Sequence, residues 1–356
     1  MHLEDGTINP DYTRYVGRKI LFIAAGGLIL CLIAIYSLSR GAAELSLLEV
    51  IRSLAGAGTL KQHNLIVWNI RLPQILAAVV AGAGLAVSGG VMQSVLRNPL
   101  GSPFTLGISH AAAFGAALAV MALDSGVMDA IRMGPITLSS PGLTTGSAFV
   151  FSLAAALVIV AVSKMRGASP EAMVLSGVAL GALFTAGTMF LQFFADDIQL
   201  AAMVFWTFGD TARASWTELG ILTVVTVGAL AFFILNTWNY NAVDAGDETA
   251  RGLGVRVARI RLAGMLIASL VTAVSVAFLG IIGFVGLVAP HMVRRLIGAD
   301  NRFLLPATAV AGAGLLLVSD TVARLILAPH LVPVSILTAF MGAPIFIYLI
   351  VRGQSR

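Results

Sequence analysis

The chain has 356 residues, 58% of them hydrophobic and only 11% charged, with a mean hydropathy of +0.94. An ordinary soluble domain is about 25% charged, so this composition excludes a globule that covers itself in polar surface, and lipid must be the solvent for most of the chain. The formal charge of +5 does not call for nucleic acid, because basic residues of a membrane protein gather on its cytoplasmic side.

Residues 1–19 are polar and mixed in charge, and read as a cytoplasmic segment rather than a cleavable signal. The first apolar run, at about 20–38, follows Arg18 and Lys19, and the YSLSRGAAE stretch at its end fits a small-residue cleavage site poorly. Cys31, the single cysteine, lies inside that run, so no disulfide framework exists. Further apolar runs fall at about 74–96, 106–122, 145–163, 172–195, 216–236, 260–282, 284–298, 303–325 and 331–351. About 20 apolar residues cross a bilayer, so the prediction is an all-α polytopic membrane protein of ten transmembrane helices. The run at 284–298 is short and reads as half-depth or tilted. One transmembrane domain would cover 20–351, with a cytoplasmic tail at 352–356. Alternating the loops places fifteen of the 22 Lys and Arg on the side of the N-terminus and seven on the other. That predicts both termini inside.

Several features break the apolar pattern, in chain order. Gln93 and Gln192 are polar groups inside oily runs; such groups usually face a bundle interior, which makes both candidates for lining a path. NPLGSPFTLGIS begins at Asn98, with Pro99 and Pro103 unable to donate to a helix ladder. Irregular backbone at membrane depth is tolerated where protein or a watery cavity covers it, so Asn98 and Pro99 are read in an inward turn beside a translocation path. His110 is either a hydrogen-bonded interior histidine or a path-lining one. No second His or Cys lies at ligand spacing to make it a metal site. His291 follows a proline in the short run and reads as packing and hydrogen bonding, with heme or metal ligation the alternative.

Glycine-rich stretches such as AGAGLAVSGG at 81–90 and GIIGFVGL at 280–287 read as close helix contacts, since small faces let backbones approach in lipid. No Walker A pattern is present, so the chain has no visible ATP site of its own.

The longest polar interruption on the inside face is NYNAVDAGDETARGLGVRVARIRL at 239–262. Its acids, Asp244, Asp247 and Glu248, come first and its arginines, Arg251, Arg256, Arg259 and Arg261, come late, which complements the dipole of a short helix. Asp247 and Arg251 stand four apart and can pair, and Gly252 and Gly254 would end the helix. The segment is either a solvated loop whose arginines hold topology or a rigid helical knob that docks into a soluble partner.

GDETARGLGV resembles the coupling segment of FecCD-type permeases of type II ABC importers, which move ferric siderophores, heme and cobalamin. VWNIRLPQILAAVVAGAGLAVSGGVMQSVLRNPLGSPFTLGIS from Val67, VLSGVALGALF from Val174, GIIGFVGLVAPHMVRRLIGADNRFLLP from Gly280, SDTVARL from Ser319 and VPVSILTAFMGAPIFIYLI from Val332 fit the same family in its order. The resemblance implies a homodimer or paired permease subunits with the path at their interface. It also implies two ATPase subunits below, which hold ATP and Mg, a substrate-binding protein outside, and the inner membrane of a prokaryote. No cofactor is implied on this chain. Carried over position by position, Asp247, Glu248, Ala250, Arg251, Gly252, Leu253 and Gly254 match the ATPase-coupling helices. Arg71 and Arg324 match arginines that pair with glutamates of the binding protein, and Gln74 stands where the cobalamin importer has a further arginine. From the residues alone, Arg324 sits one turn from Asp320 and can pair with it, or else snorkel to the headgroups. Ser169, Pro170 and Glu171 match the cytoplasmic gate region.

The expected function is therefore the permease of an ATP-driven importer, with a ferric siderophore as cargo and heme or cobalamin as alternatives. A self-contained secondary transporter is the reading from another class. It would want an ionisable residue near a span centre, and the runs offer little of that kind. An intramembrane enzyme would need a convergent nucleophile or metal set, which the runs lack.

Overall fold

The computed structural model describes residues 10–41, 45–56, 58, 60–124, 141–328 and 330–353. Residues 1–9, Arg132 and the tail 354–356 lie outside the described residues. Each of the ten apolar runs falls on a helix, and the described residues contain no strand, only an isolated bridge between Phe208 and Ile281. Among the described residues, seven helices are long and apolar enough to cross a membrane.

Helix α1 spans Pro10–Ser39 and so begins ten residues before the apolar run it carries. Two short helices follow, α2 (Leu47–Leu54) and α3 (Lys61–Leu65), the first started by a capping box of Ser46 and Glu49. Alternating apolar and charged positions make α2 amphipathic, and the hydropathy pattern does not register it as a span. A π-turn at Ile66–Arg71 leads without a break into α4, Leu72–Val95. Pro73 lies just beyond the turn; proline removes one donor and crowds the preceding carbonyls, and the wider π-turn accommodates both effects.

Next come α5 (Ile108–Asp124), α6 (Pro141–Met165), α7 (Pro170–Phe194) and α8 (Asp197–Thr207). A 3-10 turn at Thr211–Arg213 leads to α9, Trp216–Leu235. The remainder is α10 (Thr237–Asp244), α11 (Asp247–Gly252), α12 (Val257–Leu279), α13 (Val285–Ile297), α14 (Asn301–Leu325) and α15 (Val334–Gly353). The 13 residues of α13 rise only about 20 Å, short of a bilayer core, in keeping with the half-depth reading.

Helix α4 is the axis of the bundle. It packs on α14, α12, α13 and α9, and its apolar window is 83% buried against 6% for α1. Glycines set these contacts. A Cβ on Gly89 would meet the carbonyl oxygen of Gly286 at 1.6 Å, and one on Gly82 would meet that of Gly312 at 2.5 Å. In lipid, backbone approach of this kind replaces the hydrophobic drive that associates helices in water. Two irregular segments, 208–214 and 280–284, cover one another. Asp210 N donates to Leu279 O at 2.7 Å, and Gly209 exchanges hydrogen bonds with Ser335 at the start of α15. Several of their backbone groups are thus satisfied within protein, as membrane depth requires.

Candidate functional site

The 239–262 segment is a helical knob. Gly246 (φ 119°) and Gly254 (φ 82°) bracket α11 in conformations that side-chain-bearing residues rarely adopt. Ala250 is fully buried and packs with Val243 and Val257. The opposite face is open: Glu248, Arg251, Gly252 and Gly254 are exposed, and Leu253 is 70% exposed. A small helix thus seats one alanine and offers an apolar leucine between charges.

Asp247 differs from the sequence expectation. Its ion pair is with Arg261 on α12 rather than with Arg251 one turn on. The guanidinium of Arg261 donates to Asp247 Oδ1 at 2.8 Å and Oδ2 at 3.1 Å, to Val95 O at 2.7 Å and to Ala168 O at 3.0 Å. Arg261 is 2% exposed. Its hydrogen bonds hold the Asp247 carboxyl below the usual carboxylate range, against the opposing effect of partial burial. One side chain therefore ties the knob to the end of α4 and to the turn before α7. In the sequence Arg261 reads as one of the late arginines that complement a helix dipole or hold topology, with no partner assigned. Its place inside the onset of an apolar run was the available signal.

Helix α10 is fastened separately. Ser94 Oγ and Asn301 Nδ2 both donate to Asp244 Oδ2, at 3.1 and 2.8 Å. Asn241 donates to Asp300 Oδ1 at 2.9 Å and accepts from the backbone of Asn301 at 2.8 Å. Arg302 chelates Asp300 at 2.7 Å and lies over the ring of Trp238. Burial alone would push the Asp300 carboxyl up, but the hydrogen bonds from Arg302 and Asn241 outweigh it and hold it at about 2.

The turn that Arg261 grips holds the other inner candidates. Ser169 is the N-cap of α7 and accepts from Ala172 N at 3.1 Å; Pro170 opens the helix and Glu171 sits in its first turn. These three residues form a standard helix start, which accounts for their types. Gly167, Ser169, Pro170 and Glu171 face Arg97, Asp247 and Arg251 across a cleft of about 480 Å³. Beside it, residues 96–107 form the irregular turn expected from the prolines. Asn98 Oδ1 caps Leu100 N at 2.9 Å, Pro99 is exposed, and Gly107 packs against Gly177 and Gly181 of α7.

At the opposite end, the two arginines are buried: Arg71 is 4% and Arg324 8% exposed. Arg71 donates to Leu38 O at 2.6 Å, and Arg324 pairs with Asp320 at 3.0 Å, as the one-turn spacing predicts. Asp320 also accepts from Thr211 and, at 2.8 Å, from Gln74. The glutamine is therefore a partner in an internal network.

The intramembrane candidates separate. Gln93 is buried: its amide donates to Leu287 O at 3.3 Å and accepts from Arg294 at 3.0 Å, so it bridges α4 and α13. His110 is half-buried against Phe104, and its Nδ1 has no hydrogen-bond partner among the described residues. His291 packs on Phe346 with its Nδ1 likewise unpartnered. Gln192 is partly exposed near the end of α7. No three His, Cys, Asp or Glu groups converge among the described residues.

The profile of the FecCD transport family matches residues 29–352. The chain is 52% identical to an ABC transporter permease protein of Methanocaldococcus jannaschii over 98% of this chain and 99% of the relative. It is 37% identical to the hemin transport system permease protein of Yersinia pestis over 92% and 95%. A solved inward-facing structure of a metal-chelate type ABC transporter superposes with a TM-score of 0.79 at 31% identity, covering 93% of this chain and 99% of that one.

Proposed function

The chain belongs to the FecCD transport family, and from that premise we propose that it lines the route by which a ferric siderophore crosses the plasma membrane of a prokaryote. It is a multi-pass ABC importer permease, a transport subunit and not an enzyme. In the proposed assembly two copies, or this chain and a paired permease, enclose the path. Two ATPase subunits carry ATP and Mg beneath it, and a binding protein delivers the cargo from outside.

The observation that carries this reading is α11. A six-residue helix with Glu248, Arg251 and Leu253 exposed, and Asp247 locked to Arg261, has the form of a docking knob backed by a strut. An ATPase that grips the open face would move the end of α4 and the start of α7 through Arg261. Asn98, Pro99, Ser169, Pro170 and Glu171 lie beside those two points and are the inner gate candidates. Gln93, His110 and Gln192 are the remaining path candidates.

Heme is the second cargo reading, supported by the hemin permease relative. The test is uptake of labelled ferric siderophore and of hemin into proteoliposomes that hold the chain, its ATPase and its binding protein. ATP-dependent accumulation of the siderophore is expected. Uphill uptake by the chain alone would overturn the importer reading, and ATP-driven uptake of hemin with none of siderophore would replace the cargo.

A further inference from the structure

One face of α1 changes character along its length. Its first part, Asp11, Arg14, Tyr15, Arg18 and Lys19, faces Leu296 and Ile297 at the end of α13 across a cleft of about 480 Å³. Phe22 lies in the wall of that cleft and also opens the next. From Phe22 the same helix face, through Gly26 and Leu30 to Ile33, makes an apolar groove of about 190 Å³ with Ala307, Val310 and Gly314 of α14. Phe22 to Ile33 is roughly 16 Å along the helix, about half of a bilayer's hydrocarbon core. The groove thus has the depth of one leaflet and ends in a cluster of cations.

Lys19 makes the cluster unusual. It is 5% exposed, so it does not snorkel outward. Its ammonium lies over the rings of Tyr15 and Phe303 and donates to the Tyr15 hydroxyl. Among the described residues no carboxylate lies within ion-pair distance of Lys19, Arg14 or Arg18. Among the described residues, Asp11 is the one acid in the cleft wall, set against three cations. A buried charge is costly unless an opposite charge and hydrogen bonds compensate it. A basic pocket between helices, open to lipid along an apolar groove, suits an anionic headgroup.

We propose that the α1–α13–α14 face binds one anionic phospholipid, with its phosphate among Arg14, Arg18 and Lys19 and an acyl chain in the groove against Gly26 and Gly314. The lipid supplies the counter-charge that no carboxylate among the described residues gives Lys19.

Native mass spectrometry of the full chain in neutral detergent tests this, with dioleoyl phosphatidylglycerol, dioleoyl phosphatidylcholine and inorganic phosphate as probes. Phosphatidylglycerol should stay bound at collision energies that strip phosphatidylcholine. Lys19→Gln should lower its occupancy about fivefold, and Arg18→Gln, an exposed position that spares the fold, should lower it similarly. Lys19→Arg should retain the lipid. Gly314→Leu, where a Cβ meets nothing within 4 Å, should fill the groove and expel it. Equal retention of the two lipids, or unchanged occupancy in both charge variants, overturns the site. Displacement of phosphatidylglycerol by inorganic phosphate, or indifference to Gly314→Leu, reduces it to a simple anion cleft and overturns the lipid assignment.

Discussion

Arg261 holds Asp247 by both carboxylate oxygens, and the same guanidinium bonds the carbonyls of Val95 and Ala168. Four acceptors on three separate elements converge on one buried fork. Lysine cannot reproduce this, because its ammonium is a point charge without the planar spread of donors. Arg261→Lys should cost about 2 kcal/mol in denaturant unfolding of the purified chain. In the assembled importer it should leave ATP hydrolysis running while substrate uptake falls. Unchanged stability together with unchanged uptake would remove Arg261 from the coupling route.

The apolar helices were legible because lipid-facing and buried helices alike must be continuously apolar, and that pattern needs no knowledge of neighbours. The knob was legible as one of two readings: Gly252 and Gly254 punctuate it, and its charges follow the helix dipole. The partners were not. Asp247 prefers Arg261, fourteen residues on, because the turn through Gly254 folds α12 back under α11, and no local spacing rule carries that information. Arg71 looked like a rim charge because a linear sequence cannot show that Leu38 O lies beneath it, whereas the Asp320–Arg324 pair was legible from its one-turn spacing. Helices α2 and α8 were overlooked although Ser46 with Glu49, and Asp196 with Gln199, form capping boxes visible as three-residue spacings.

The α4–α13 contact should be the least tolerant of added volume. Gly89→Ala places a methyl on the Gly286 carbonyl, and backbone cannot yield as a flexible side chain can. Overpacking of this kind costs about 1–3 kcal/mol or more. Gly228→Ala in α9, where nothing lies within 4 Å, is the control and should gain up to about 1 kcal/mol from helix propensity. Size-exclusion profiles after graded heating would rank the two, and equal behaviour would contradict the close contact.

Acid should loosen the α10–α14 junction. Asp300 titrates at about 2 in the folded chain against an ordinary 3.8, so the folded state favours its ionised form. That stability is fully present above pH 4 and is lost as pH falls through 2. The shift corresponds to about 2 kcal/mol, discounted to about 1 because water reaches the pair with Arg302. Asp247 shifts in the same direction, held down first by Arg261, and should add to the same acid limb. Melting of wild type and Asp300→Asn from pH 6 to 2 checks this. The variant should be less stable at pH 6, and the gap should close toward pH 2. A constant gap would mean that the asparagine disturbs packing rather than charge.

The buried pair at the other end separates a clamp from a docking charge. Asp320 and Arg324 are 2% and 8% exposed, and Ser37, Gln74 and Thr211 complete their hydrogen bonds. If Arg324 served only a binding protein, Arg324→Ala would leave the isolated chain's melting unchanged and would slow association in a salt-dependent way. The network argues instead that the chain itself depends on the pair. Asp320→Asn and Arg324→Ala should each lower the stability of the isolated chain by about 3–5 kcal/mol, because each strands a buried partner. The double variant Asp320→Leu with Arg324→Met should recover most of that loss, since apolar side chains of similar volume leave no charge unpaired. Recovery of folding without recovery of binding-protein affinity would assign Arg324 both roles. Single variants that melt like wild type would leave docking as its only one.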